Sequence, residues 1–112
     1  MKKPLIIQSR LAPKKYCVNI FGTLWARDTS WINHLVVNHE RIHNAQMREL
    51  LYVPFYLLYI LEWLGRLVQY RNHDLAYRNI SFEREAYANG DNLDYLPTRK
   101  LFAWIKYLRK HR

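Results

Sequence analysis

The stretch Val36-Val37-Asn38-His39-Glu40-Arg41-Ile42-His43 decides how this chain is read. Read as a helix, it places His39 and His43 one turn apart on a single face, so that two imidazoles can converge on one metal ion. Glu40 stands three residues before His43 and borders that face. From there it can reach a water on the ion without being a ligand itself. A helix suits this task because its own backbone hydrogen bonds fix the geometry. His34, five positions before His39, points about 140° away and is not expected to join the site. The plainer alternative is that His39 and His43 are ordinary surface histidines.

Working outward, Asp28-Thr29-Ser30 offers a choice of N-caps, and the helix is expected from about Trp31 to about Leu51, with Trp31, Leu35 and Ile42 at helical spacing. Pro54 fits the first turn of a second helix that reaches about Tyr70. A third helical region covers Asp74 to Asn89, with Ser81 able to cap a fresh helix at Phe82, and Asn89-Gly90-Asp91 stops it. Pro97-Thr98 opens a last helix with Leu101, Phe102, Ile105 and Leu108 on its apolar stripe. Before the motif, residues 4–27 read as extended. Alternation puts Tyr16, Val18, Ile20, Leu24 and Ala26 on one face, with Gly22 as a bulge and Ala12-Pro13-Lys14-Lys15 as a turn. The expectation is one α+β domain over residues 1–112, mostly helical, with a small N-terminal antiparallel sheet.

Two histidines do not complete a zinc site, which needs three protein ligands and an open position for catalysis. The best supplier of the third is Ser81-Phe82-Glu83-Arg84-Glu85-Ala86-Tyr87-Ala88. Glu83 and Glu85 compete for the role, and they lie about 200° apart around a helix, so only one can face the metal. Here the chain resembles the gluzincin metallopeptidases, in which H-E-x-x-H is followed by a glutamate on a later helix. The match is to the short minigluzincins and, locally, to the E-x-x-A-D segment of the membrane-linked CaaX-processing peptidases. The resemblance covers the two motifs only. It implies a zincin-like fold, a Zn2+ ion on His39, His43 and Glu83, Glu40 as general base and hydrolysis of a peptide or protein substrate. It also implies that the edge of the N-terminal strands holds an extended peptide by strand addition. Ala86, one turn after Phe82, would let the two helices approach closely. The chain departs from the family at Arg41, usually uncharged, at Tyr87, where many members carry an aspartate, and in its longer interval between the motifs. An oxyanion donor is still needed, and Tyr87, His73, Tyr77 and Arg78 are all eligible. His73 otherwise reads as a helix start, and Gln46 as a residue that positions His43.

Composition sets the remaining bounds. Eighteen Lys+Arg against nine Asp+Glu leave a net charge of +9, which draws the chain toward polyanions. No nucleic-acid motif accompanies the charge, so nucleic acid is an unlikely partner, whereas peripheral association with an anionic membrane fits. Cys17 is the single cysteine, which excludes an intrachain disulfide; with no histidine base beside it, it reads as a small apolar strand residue. The apolar run Leu5-Ile6-Ile7 is too short for a signal peptide, so a cytoplasmic location is the expectation, with membrane association possible. The run Leu50–Leu61 carries no charge, but twelve helical residues span only about 18 Å against a hydrocarbon core of about 30 Å. Burial of this helix is expected. The alternative lays it at a membrane interface through Tyr52, Tyr56, Tyr59 and Trp63. Two other functions compete with the peptidase: a non-catalytic basic module for anionic lipid or nucleic acid, and a degenerate zincin with structural zinc.

Overall fold

The computed structural model describes residues 5–12 and 17–108. The chain begins with strands β1 (Ile6–Gln8), β2 (Val18–Ile20) and β3 (Thr23–Ala26), in the order β1-β3-β2. β2 and β3 pair antiparallel, but β1 pairs parallel with β3. The sheet is therefore mixed, not antiparallel as expected, because β3 inserts between the two strands that precede it.

The expected face is corrected too. Phe21 (φ 50°) and Gly22 (φ 90°) form a two-residue hairpin turn with both residues left-handed, rather than a one-residue bulge. A two-residue turn sets Val18 opposite Trp25 and Asn19 opposite Leu24. Leu24 and Ala26 are buried, so their cross-strand partners on that face are Asn19 and Cys17, while Ile20 is exposed. Tyr16 and most of the proposed turn at 12–15 lie outside the described residues.

α1 (His34–Glu49) starts later than expected. Asn33, not Asp28 to Ser30, is its N-cap and accepts from the Leu35 and Val36 amides. Asp28 instead accepts from the amide and hydroxyl of Ser30, making a local turn. A tight bend with left-handed Leu51 and Tyr52 leads into α2 (Val53–Tyr70), which carries Pro54 in its first turn. The two helices are bent by 111° at this junction, and no single helix among the described residues is long and apolar enough to cross a membrane. α3 (His73–Arg78) and α4 (Ser81–Asn89) are separate, as expected, but Ile80 and not Ser81 is the N-cap of α4, which begins at Ser81 itself. The last helix is not continuous. α5 (Tyr95–Thr98) is one turn, and a 3-10 segment follows at Ala103–Tyr107. Its buried residue is Trp104, and the expected stripe of Leu101, Phe102, Ile105 and Leu108 is exposed.

Phe82 organises the core. It is fully buried, with ring contacts to Phe55 and Trp104 at 4.7 Å each and a stacked contact to Tyr59 at 6.1 Å. Met47 and Ile80 complete the buried cluster, with Tyr52, Tyr56, Tyr59 and Trp63 packed around it. These four aromatics of the α2 region thus face inward. Burial of α2 as a whole is not observed, since Phe55 is its one buried residue.

α4, which carries Glu83, is held from outside. Ile80 at its N-cap has no side-chain oxygen to offer, and Glu62 of α2 replaces it, accepting from the Ser81 amide and hydroxyl at 2.6 Å each. At the other end Asn38 of α1 donates to the carbonyls of Gly90 (2.9 Å) and Asn92 (3.0 Å). A Cβ at Gly90 would stand 2.8 Å from the Ala86 carbonyl, so glycine lets the chain turn tightly at the end of α4, while its 3.5 Å from His39 Cβ is ordinary contact with α1. Ala86 is fully buried. Replacing Glu62 by Ala strands the Ser81 donors and is expected to destabilise the fold by about 1–3 kcal/mol in urea unfolding.

Candidate metal centre

α1 presents His39 and His43 with ring centroids 4.9 Å apart and planes at 77°. α4 brings Glu83 across from forty residues away. Glu83 Oε1 lies 3.4 Å from His39 Nε2 and 3.2 Å from His43 Nε2. One donor atom from each residue lies within 4.8 Å of the others, so this group could hold a metal ion. Bonds of 2.0–2.2 Å in a tetrahedron put neighbouring ligands about 3.3–3.5 Å apart, which the two nitrogen–oxygen separations match. The donor chemistry, two imidazoles and a carboxylate, is also of the kind zinc takes. Glu85, the competitor, points elsewhere.

The groups behind these ligands are committed. Gln46 Nε2 donates to the Phe82 carbonyl (3.0 Å) and to Glu85 Oε1 (2.9 Å), so its Oε1 faces His43 Nδ1 at 2.8 Å. His43 must therefore carry a proton on Nδ1, leaving Nε2 for the Glu83 side. Glu85, fully buried, also accepts from the Tyr95 hydroxyl and Arg99 Nε at 2.5 Å each, and Arg99 forks onto both oxygens of Glu49 at 2.8 and 3.1 Å. Glu83 Oε2 accepts from the Tyr59 hydroxyl at 2.5 Å.

Glu40 sits beside this group and is gripped from the sheet. Asn19 Nδ2 donates to Glu40 Oε1 at 3.2 Å and to Asn44 Oδ1 at 2.8 Å. Cys17 also hydrogen-bonds Glu40; burial, then the Glu40 charge, pushes its thiol up to about 12, which keeps it neutral. Glu40, His39, His43 and Glu83 line a cavity of about 910 Å³ walled further by Val18, Trp31, Leu35, Tyr77 and Tyr87. The Tyr87 ring lies 4.8 Å from that of His39, and the Tyr77 ring 6.4 Å from Tyr87. Burial, then the Glu83 charge, raises Tyr77 and Tyr59 far above the usual phenol range, so both are neutral donors. His73 lies against Trp63 at 6.0 Å, and neither it nor Arg78 nor His34 lines the cavity. Asn19, Tyr59 and the Arg99–Glu85 link were not foreseen. The hairpin register alone brings Asn19 to Glu40, and nothing in the sequence signals it.

The chain matches no family model, no curated protein and no solved structure.

Burial opposes a charge on His43, but Glu83 outweighs it, with help from Glu40 and Gln46, and lifts its pKa to about 10. Burial likewise opposes ionisation of Glu83, yet the His43 charge and the hydrogen bonds from His39, His43 and Tyr59 hold it well below the usual carboxylate range. The metal-free pair is thus imidazolium and carboxylate. His43 contributes its full stabilisation below its ordinary 6.5 and loses it as pH rises through about 10. Glu83 contributes fully above its ordinary 4.5 and loses it on acidification. Metal-free protein should therefore be most stable between these two values in pH-dependent urea unfolding. An ion held by this group has to displace the His43 Nε2 proton, so titration calorimetry with zinc as the probe, in buffers of different ionisation enthalpy, should show about one proton released per ion at roughly pH 7–8.5, with affinity rising with pH.

Proposed function

We propose that this protein is a zinc-dependent metallopeptidase of zincin-like fold that hydrolyses peptide bonds. The observation that carries the reading is the convergence of His39, His43 and Glu83 on one point beside a cavity into which Glu40 is held. The donors fit zinc in type, and both histidine–Glu83 separations fit it in spacing. Zinc, when bound, supplies a Lewis acid and lowers the pKa of water to about 7.

The chain's own groups account for the remaining steps. Glu40, steadied by Asn19 and Cys17, takes a proton from the attacking water as its oxygen bonds to the scissile carbonyl carbon. It then delivers that proton to the amine as the carbon–nitrogen bond breaks. Tyr77 is the best placed donor for the developing oxyanion. Tyr77 walls the cavity and its neutral hydroxyl is hydrogen-bonded to Tyr87, an uncharged partner it can leave, whereas the Tyr59 hydroxyl is committed to the Glu83 carboxylate. β2 pairs only with β3 among the described strands, and its Val18 lines the cavity, so its outer edge can take an extended peptide as an added strand. The large cavity walled by Trp31, Leu35 and Val36 suits an apolar side chain of that peptide.

Three variants test this with untagged, zinc-loaded protein and a fluorogenic peptide library. Glu40→Gln should keep about one zinc per chain and lose hydrolysis. His43→Ala should lose the zinc. Tyr77→Phe should lower kcat by about 10²–10³-fold with KM little changed. Full activity in Glu40→Gln would overturn the assignment of the base.

A further inference from the structure

We infer that the outward face of α2 is a docking surface for an anionic membrane, on which the helix lies flat. Val53, Leu57, Ile60, Leu61, Leu64 and Val68 are each between 48% and 79% exposed. At 100° per residue they fall within an arc of about 100°, extending over four turns of helix. No charged residue interrupts the arc. The two charges of α2, Glu62 and Arg66, pair with each other at 3.2 Å on the side of the core. There Glu62 also caps α4, and Arg66 donates to the Leu108 carbonyl at 2.8 Å. Phe55, Tyr56 and Tyr59, which face the core, line the cavity from within. Contact along the outward arc therefore leaves the cavity uncovered by the partner surface.

A continuous aliphatic arc of this length on water is costly unless something covers it. Charge decides between the two kinds of cover. A second copy of the chain would bring two bodies of +9 together, whereas an anionic leaflet meets that charge with its opposite. An apolar arc lying about 5–10 Å into the boundary of headgroups and acyl chains, on a chain of strongly positive net charge, is the arrangement of an interfacial helix. The aromatics that a sequence reading would assign to the interface are turned inward, and the aliphatic residues take that place.

The test is sedimentation of the full-length protein with extruded vesicles of phosphatidylcholine alone or mixed with phosphatidylglycerol. The protein should pellet with the anionic vesicles, stay in solution with the neutral ones, and be released as salt is raised. The double variant Leu57→Ser/Leu61→Ser keeps the net charge and replaces exposed side chains only. It should partition about tenfold or more weakly while keeping the zinc content and melting temperature of the parent. Wild-type protein that stays in solution with anionic vesicles at low salt would overturn the inference. So would a double variant that pellets as well as the parent. Lipid-independent dimers lost in the double variant, without vesicle binding, would give the face to a second copy instead.

Discussion

The structure depends on a carboxylate and two imidazoles brought together out of water. Glu83 and His43 are both nearly buried, and a charge at either position without a counterpart would cost several kcal/mol, about the margin by which a domain of this size is stable. Each therefore needs the other, or an ion between them. That requirement fixes the contact of α1 with α4. Ala86 is fully buried in α4, Asn38 holds the end of that helix, and Glu62 caps its start.

Neighbouring positions of α4 divide the work of the molecule. Phe82 enters the aromatic core, Glu83 the cluster with the two histidines, and Glu85 the ion network with Arg99 and Glu49. Gln46 joins the last two, since one end of its amide orients His43 while the other donates to Glu85. Arg99, in the segment after α5, thus holds the support behind His43 from the far end of the described chain. α2 serves both sides of the fold. Its inner face supplies Phe55 to the core, Tyr59 to Glu83 and Glu62 to α4, and its outer face is free of those duties.

The cluster of His39, His43 and Glu83 was largely legible because helical spacing is a local rule. His39 and His43 could be set on one face, and Glu83 and Glu85 separated by angle, before any tertiary contact was known. The break at Ser81 and the start of α2 at Pro54 are likewise local. What escaped depends on partners distant in sequence. The hairpin turn at Phe21-Gly22 replaced a bulge and so reversed which strand residues face α1, bringing Asn19 and Cys17 to Glu40. The parallel pairing of β1 depends on which strand lies in the middle, and alternation carries no information on that. The stripe Leu101, Phe102, Ile105 and Leu108 had helical spacing but no surface to cover, and Trp104 was buried instead. For α2, an uncharged run was equally compatible with burial and exposure, and only the packed chain separates its faces.

The central claim is that His39, His43 and Glu83 close on one zinc ion. An anomalous difference map collected at the zinc edge, from crystals grown with one equivalent of zinc, tests it most directly. The account predicts a single strong peak within about 2.0–2.2 Å of both imidazole Nε2 atoms and a Glu83 oxygen, with Glu40 beside the ion but not bound to it. A zinc peak elsewhere on the chain, or no peak with the three side chains still paired as they are without metal, would contradict it.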